Sequence, residues 1–198
     1  MVIRKVKPEL RIIGWDDASF KRDQEDRVPI VGSVVRGGKP YLDGVLVEEI
    51  EKDGYDATET IAEAVNRSKH KDQLRVIMLD GVTFAGFNTV DIEELNERTG
   101  LPVIVVVRKE TDFAKFRKAM EKLPNFDKRW SCIEKAGEMK PVEIGDGKEV
   151  FFQHTGIDEN KARRVVKTSV SRSLLPEPIR ISHLIATAIA RGESIGRA

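Results

Sequence analysis

Runs of apolar residues divide the first quarter of the chain into strands. The three runs are Leu10 to Trp15, Val28 to Arg36 and Tyr41 to Glu51. They are rich in Val, Ile and Leu, which favour an extended backbone. Gly37-Gly38 joins the second run to the third and is a strong short-hairpin signal. The pattern therefore predicts three antiparallel strands that are neighbours in one sheet.

The periodicity changes near residue 56. Asp56 is able to cap a helix, Glu59 follows three residues later, and Ile61, Ala62 and Val65 have helical spacing. Beyond this point, continuous apolar runs typical of buried strands alternate with helical patterns. The predicted strands cover 74–79 and 102–107, and the predicted helices cover 56–69, 90–98 and 113–123.

The last third of the chain is less regular. Residues 124–148 carry Pro, Gly and mixed charge around Trp130, which indicates an irregular insertion or a hairpin and not a domain boundary. A strand at 150–154 and helices at 158–167 and 178–191 follow. Three antiparallel strands followed by alternating helices and strands resemble a ribonuclease-H-like fold, an α/β mixed sheet flanked by helices. We expect one such domain over residues 1–198.

The composition is that of a globular protein. At 198 residues, 40% hydrophobic and 34% charged, the chain is long enough for a sizeable core. The single cysteine, Cys132, excludes an intramolecular disulfide framework, and no charged start followed by an apolar run resembles a signal peptide, so we expect a cytoplasmic location. The longest apolar stretches, such as 101–107, are far shorter than the roughly 20 residues of a membrane span. We expect no membrane association.

The charges are nearly balanced. Lys and Arg number 34 against 33 Asp and Glu, a formal net charge of +1, so the total charge does not itself indicate a polyanionic partner. A basic face is compatible with this sum when an acidic metal site offsets it. The last forty or so residues are locally basic, for which a solvated helix face is the alternative interpretation.

Two predicted strands end in aspartates. Asp16 follows the first strand and Asp80 the fourth, and strand ends are where α/β sheets build sites. If these strands are neighbours, both carboxylates share one cleft, where Mg²⁺ or Mn²⁺ relieves their repulsion. Asp56 would complete the oxygen-rich cluster that two-metal phosphodiester hydrolysis needs, although a helix cap is its simpler role. Asp17 is a less favoured candidate for this site than Asp16, because side chains alternate along a strand and that of Asp17 should point to the other face of the sheet.

Several motifs occur in order along nearly the whole chain. They are Gly14-Trp15-Asp16-Asp17, Asp53-Gly54-Tyr55-Asp56-Ala57-Thr58, Leu79-Asp80-Gly81-Val82-Thr83-Phe84, Leu175-Pro176-Glu177-Pro178-Ile179-Arg180 and Arg191-Gly192-Glu193-Ser194. Together they resemble a small archaeal family of uncharacterised proteins that is distantly similar to endonuclease V. The resemblance implies a ribonuclease-H-like fold and a metal site to which Asp16 and Asp80 contribute, with Gly81 beside the substrate.

The resemblance to endonuclease V also implies basic and histidine residues near the substrate. Arg108 or Lys109 stands where that family has a basic residue near the scissile phosphate. Where it has Gly-His-Arg near the C-terminus, this chain keeps Arg180 and lacks the histidine. His183 lies one turn further along the helix. It either replaces that histidine near the metal or is a buried helix histidine.

Two features of endonuclease V are altered in this chain. Pro40-Tyr41-Leu42-Asp43-Gly44 resembles the Pro-Tyr-Ile-Pro-Gly wedge that opens the duplex, with Asp43 in place of the second proline. Tyr41 and Gly44 are candidates for substrate contact on this basis. The catalytic glutamate has no clean counterpart. Asp56 is preferred because it opens the following helix, and Glu49 and Glu51 are the alternatives.

These observations predict a Mg²⁺- or Mn²⁺-dependent endonuclease. Its substrate would be nucleic acid, DNA in preference to RNA, and its target deaminated or damaged bases. The alternative is a nucleic-acid-binding or regulatory protein that keeps the fold without catalysis, which agrees with the near-neutral charge and the altered wedge. Activity on RNA stays open, because no residue pattern identifies a reader of the 2′-hydroxyl.

Overall fold

The computed structural model describes residues 6, 9–20, 26–36, 41–145 and 147–194. The strands are β1 (Arg11–Asp17), β2 (Arg27–Arg36), β3 (Tyr41–Glu51), β4 (Val76–Asp80), β5 (Thr83–Phe84), β6 (Asn88–Thr89), β7 (Val103–Val107), β8 (Lys140–Gly145) and β9 (Lys148–Thr155). The α-helices are α1 (Ala57–Arg67), α2 (Ile92–Thr99), α3 (Phe113–Met120), α4 (Phe126–Ala136), α5 (Glu159–Ser169) and α6 (Glu177–Arg191).

Seven of these strands form one mixed sheet in the order β3-β2-β1-β4-β7-β9-β8. β1, β2 and β3 are antiparallel neighbours, β4 and β7 run parallel to β1, and β9 and β8 return antiparallel. This arrangement confirms the predicted mixed sheet of three antiparallel strands followed by parallel ones. The predicted turn at Gly37-Gly38 lies outside the described residues, but Arg36 and Tyr41 on either side of it are paired.

Helices cover both faces of the sheet because side chains alternate along each strand. On one face, Ile13 of β1 belongs to a buried cluster with Ile61 of α1 and Leu95 of α2. On the other face, its neighbour Ile12 belongs to a cluster with Val165 of α5 and Ile179 of α6. The central strands β1, β4 and β7 are therefore buried on both sides, as their continuous apolar runs indicate.

The segment 124–148, for which an irregular insertion or a hairpin was expected, forms a helix followed by the first strand of a hairpin. It contains α4, and β8 pairs with β9 as an antiparallel hairpin. Phe126, Trp130 and Ile133 have the spacing of one helix face and pack against the core. Gly137 ends α4 with a φ of +75°, so this glycine terminates a helix and does not interrupt one.

The longest helix of the described residues is α6, with 15 residues. It begins after Pro176 and ends at Gly192, whose φ of +84° closes the last turn. No helix in the described ranges is long and apolar enough to cross a membrane.

Candidate metal centre

The register of β1 and β4 brings two aspartates to one edge of the sheet. Trp15 of β1 pairs with Leu79 of β4 in parallel, so Asp16 and Asp80 follow at the same level. Both lie two residues beyond the paired Gly14 and Met78 and therefore project from the same face. This face is the one that α6 covers.

The side chain of His183 on α6 completes a cluster with these aspartates. One carboxylate oxygen from each of Asp16 and Asp80 and one ring nitrogen of His183 lie within 4.8 Å of one another. Nδ1 of His183 lies 2.7 Å from Oδ2 of Asp16, and the other oxygen of Asp16 accepts a hydrogen bond of 2.9 Å from the backbone N–H of Asp17. Both oxygens of Asp16 are thus held in place.

The close approach of α6 to β1 positions His183. A Cβ on Gly14 would overlap the carbonyl carbon of Pro178, so only glycine lets the helix lie this close. The hydroxyl of Ser182 donates to the carbonyl of Gly14 at 2.7 Å and accepts from the N–H of Ser33 on β2 at 3.0 Å. This serine ties α6 to both strands, and the next residue along the helix is His183.

The carboxylates are crowded in a largely buried place. Burial raises the pKa of Asp80, and the negative charge of Asp16 adds to the effect. Burial likewise raises the pKa of Asp17 to about 6, with Asp16 again contributing. The hydrogen bond to Asp16 raises the pKa of His183. A raised pKa favours the neutral, protonated form of Asp80 and Asp17, and it favours the positively charged form of His183. All three shifts therefore reduce the net negative charge around Asp16.

These residues fit a divalent cation. Two carboxylates on one face repel each other, and this repulsion adds to the effect of burial on the pKa of Asp80; a cation between the carboxylates would remove it. Carboxylate oxygens suit Mg²⁺ and Mn²⁺, and a histidine that bonds a ligating carboxylate orients it. The cluster of Asp16, Asp80 and His183 is therefore able to hold a divalent metal ion.

The structure does not bring Asp56 into this cluster. Its Oδ1 accepts hydrogen bonds from the N–H of Glu51 at 3.1 Å and from Nδ2 of Asn88 at 2.6 Å, and its side chain caps no N–H of α1. The two rival acids, Glu49 and Glu51, are exposed at the end of β3, and Glu49 faces Arg27 at 3.8 Å. Among the described residues, none of these three acids joins Asp16 and Asp80.

Tyr41 and Gly44 lie towards the opposite end of the sheet from the cluster. Tyr41 pairs with Arg36, which pairs with Arg11, five residues before Asp16 on β1. Tyr41 is 59% exposed. A Cβ on Gly44 would overlap the ring of His70, so packing against this ring explains the glycine.

Asp43 is an extra residue in β3. The pairing with β2 shifts at this point, with Val34 opposite Gly44 and Val35 opposite Leu42. The carboxylate of Asp43 bonds Nε of Arg11 at 2.8 Å and Nη2 of Arg36 at 3.2 Å. The residue that departs from the wedge pattern thus anchors a β-bulge to two arginines.

The remaining predicted site residues lie nearer the cluster. Gly81 follows Asp80 with a φ of +80°, which favours glycine. The charge of Arg108 acts on both Asp80 and His183, where it opposes in part the rise in the pKa of each. Lys109 is exposed at the end of β7. Arg180 is engaged by Glu177, which it contacts at 2.7 Å.

A hairpin next to the cluster was not predicted. β5 and β6 follow Gly81, and Oδ2 of Asp17 accepts from the N–H of Ala85 in their connecting turn at 2.7 Å. Oδ1 of Asp53 accepts from the N–H of Phe87 at 2.8 Å. The side chain of Asp17 thus lies on the opposite face of the sheet from that of Asp16, where it stabilises this hairpin.

Arg129 of α4 holds the same hairpin from the other side. It is 1% exposed, and its guanidinium donates to the backbone carbonyls of Asp53, Gly54 and Phe87. Its charge also lies over the ring of Tyr55, 4.1 Å from the centroid. No local sequence pattern signals this role, because Asp53, Gly54 and Phe87 are all more than 40 residues away from Arg129 in the chain.

Comparison with known proteins identifies the family. Residues 8–190 match the family described as Endonuclease dU. The UPF0215 protein of Methanothermobacter thermautotrophicus is 50% identical over 196 residues, which cover 98% of this chain and 95% of the relative. A UPF0215 protein of Pyrococcus furiosus is 41% identical over 195 residues, which cover 98% of each chain.

Solved structures share the fold. A protein of unknown function from Archaeoglobus fulgidus, 40% identical, superposes with a TM-score of 0.82 over 91% of this chain and 98% of that chain. Endonuclease V of Bacillus subtilis, 14% identical, has a TM-score of 0.63 over 97% and 86%. Endonuclease V of Ciona intestinalis, in complex with DNA that contains an inosine followed by a ribo-adenosine, is 14% identical and has a TM-score of 0.60 over 88% and 83%. The chain therefore belongs to the Endonuclease dU family, and its mixed α/β fold is similar to that of endonuclease V.

Proposed function

We propose that this protein is a Mg²⁺- or Mn²⁺-dependent endonuclease that cleaves DNA at deoxyuridine. The observation that carries the proposal is the cluster of Asp16, Asp80 and His183 at the carboxyl edge of β1 and β4. The family description names an endonuclease and dU. The fold is similar to that of endonuclease V, one of whose structures holds DNA with a deaminated base, inosine.

In this proposal Asp16 and Asp80 hold the metal. A divalent ion bound by these two carboxylates would activate a water molecule and stabilise the leaving oxygen of a phosphodiester. Nδ1 of His183 donates to Oδ2 of Asp16 and so fixes the direction in which that carboxylate presents its oxygens. Nε2 of His183 is then the ring atom that exchanges a proton with the reacting groups.

Positive side chains near the cluster are suited to the scissile phosphate. The charge of Arg108 acts on both Asp80 and His183, which supports a role for this residue at the phosphate of a substrate. Lys109 is the next residue and is exposed. We assign phosphate binding to Arg108 first, because a planar guanidinium matches phosphate oxygens in pairs.

The test is cleavage of three duplexes that differ at one base, carrying deoxyuridine, deoxyinosine or no lesion, with Mg²⁺ or Mn²⁺. We expect nicking of the deoxyuridine duplex only with metal, and loss of nicking in Asp80→Asn. Asp72→Asn is the matched control, because Asp72 is an exposed aspartate outside the cluster.

Two results would overturn the nuclease proposal. One is the absence of nicking on every duplex with either metal. The other is equal nicking by the wild type and Asp80→Asn. Nicking of the deoxyinosine duplex alone would instead keep the nuclease and overturn the assignment of deoxyuridine.

A further inference from the structure

The helix α3 begins one short loop away from the metal centre. β7 lies beside β4, with Val106 paired to Asp80, and β7 ends at Val107. The chain continues through Arg108 and Lys109 into α3, whose first turn Asp112 caps through a hydrogen bond to the N–H of Lys115. α3 therefore begins near the carboxyl edge of the sheet at which Asp16 and Asp80 lie, and it packs against the face of the sheet opposite to α6.

One side of α3 is used for packing. Phe116 contacts Phe87, the last residue of the β5–β6 turn, with ring centroids 5.3 Å apart. The guanidinium of Arg117 lies 5.3 Å from the ring centroids of both Phe126 and Trp130 on α4. These contacts fix the rotation of α3 about its axis.

The opposite side of α3 and of the turn after it is basic. Lys115, Lys118 and Lys122 follow the i, i+3, i+7 spacing of one helix face, and all three are exposed. Lys115 pairs with Asp112 at 3.0 Å. Lys118 and Lys122 form no ion pair with any other residue that the structure describes. We name these three lysines the α3 basic face.

This face belongs to the most positive part of the chain near the metal centre. Residues 108–129 contain eight Lys and Arg and four Asp and Glu. Since the whole chain has a net charge of only +1, the remainder of the chain is net negative. The positive charge of residues 108–129 therefore favours a polyanionic partner at α3.

We propose that the α3 basic face binds the phosphate backbone of the DNA substrate. This inference rests on the proposed function, and it adds the surface that positions the strand beside the cluster. Lysines of this kind contribute charge and no sequence reading, so the face contacts backbone and not bases. The α3 basic face would thus recognise DNA by the regularly spaced negative charges of its phosphates.

The second basic region of the chain has different surroundings. Arg164 and Lys167 are exposed on α5, which packs on β8 and β9 at the far edge of the sheet. Arg163 is engaged by Glu159 at 2.9 Å. α5 therefore offers two exposed cations away from β1 and serves as a matched control.

The experiment measures binding of the deoxyuridine duplex as a function of salt. Full-length protein carrying Asp80→Asn, which blocks cleavage in the proposed function, is compared with and without Lys118→Gln/Lys122→Gln. Each phosphate contact contributes about 0.9 to the slope of log K against log salt, so we expect the double variant to reduce that slope by about 1.8. Arg164→Gln/Lys167→Gln should leave the slope unchanged.

An unchanged slope in the Lys118/Lys122 variant, or an equal reduction in the α5 control, would overturn the inference. The inference would also be overturned if the Asp80→Asn protein that keeps Lys118 and Lys122 did not bind the duplex. Cleavage separates this inference from the proposed function. If the wild type does not nick DNA but binding depends on Lys118 and Lys122, the nuclease fails and the basic face stands. If the wild type nicks DNA but binding does not depend on Lys118 and Lys122, the nuclease proposal stands and the role of the α3 basic face fails.

Discussion

Asp56 illustrates how a carboxylate with a plausible position in the sequence acquires a structural role. It precedes α1, yet its oxygens accept hydrogen bonds from the N–H of Glu51 and the amide of Asn88. These bonds join the end of β3 to β6. Asp56 therefore stabilises the loop before α1, while the proposed metal ligands, Asp16 and Asp80, come from β1 and β4.

Replacing Asp56 should separate stability from metal binding. Asp56→Ala leaves the donors of Glu51 and Asn88 without an acceptor, so we expect the free energy of unfolding to fall by about 1–3 kcal/mol. The affinity for Mn²⁺ should stay near that of the wild type. Asp80→Asn should lower that affinity at least about tenfold. Urea unfolding and calorimetric titration measure the two quantities, and a tenfold loss of affinity in Asp56→Ala would make Asp56 a ligand.

Asp43 should make stability depend on pH. The hydrogen bond from Arg11 lowers the pKa of this carboxyl, and Arg36 contributes further. A lowered folded pKa stabilises the protein above the unfolded pKa of about 3.9, and this stability is lost as pH falls through the folded pKa. Asp43→Asn should therefore lower the free energy of unfolding by up to about 1 kcal/mol at pH of about 7, and by less at pH of about 3. A difference that is equal at both pH values would contradict this role.

At the scale of elements, the docking of α6 decides whether His183 reaches Asp16. Gly14 leaves room for the backbone at Pro178, and Ser182 bridges β1 and β2. The position of His183, the side chain proposed to orient Asp16, therefore depends on the absence of a Cβ at Gly14, two residues before Asp16.

Gly14→Ala should push α6 away from the sheet. We expect a loss of stability of about 1–3 kcal/mol from overpacking, together with a fall in Mn²⁺ affinity of about tenfold as His183 leaves Asp16. Gly32→Ala is the control. Its Cβ would lie 2.8 Å from the ring of Trp15 on the other face, so it should destabilise the fold without lowering the affinity. An equal loss of affinity in both variants would mean that general destabilisation explains the effect.

The β5–β6 hairpin should depend on Arg129. Arg129→Lys keeps the charge but loses the planar donors that reach Asp53, Gly54 and Phe87, and buried carbonyls without partners cost about 1–3 kcal/mol each. We expect faster hydrogen exchange at the N–H of Phe87 while the N–H groups of β7 stay protected. Uniform acceleration across the sheet would show that Arg129 stabilises the whole fold and not this hairpin.

At the scale of the whole molecule, the sheet was predictable because its central strands are buried on both faces. Continuous apolar runs such as 102–107 predict such strands even when the neighbouring strands in the sheet are not known. Asp16 and Asp80 were predictable for the same reason, since each ends one of these runs. The amphipathic spacing in α4 is equally present in the sequence, but Pro124 and Gly137 at the ends of this helix favour an irregular chain.

The contacts that complete the site could not be predicted from local sequence patterns. His183 and Asp16 are 167 residues apart, and Gly14 meets Pro178 only through the docking of α6. The direction of the Asp56 side chain depends on Asn88, which lies in an unpredicted hairpin. Periodicity predicts which residues lie on a strand or helix, but it does not predict which distant side chains meet.

The most direct test of the metal centre is an anomalous difference map from crystals soaked in Mn²⁺. We expect a peak within coordination distance of carboxylate oxygens of both Asp16 and Asp80, with His183 still bonded to Asp16. Crystals of Asp80→Asn treated in the same way should lack the peak. A map of the wild type with no peak between Asp16 and Asp80, or with a peak only at Asp56 or Glu49, would contradict the proposed centre.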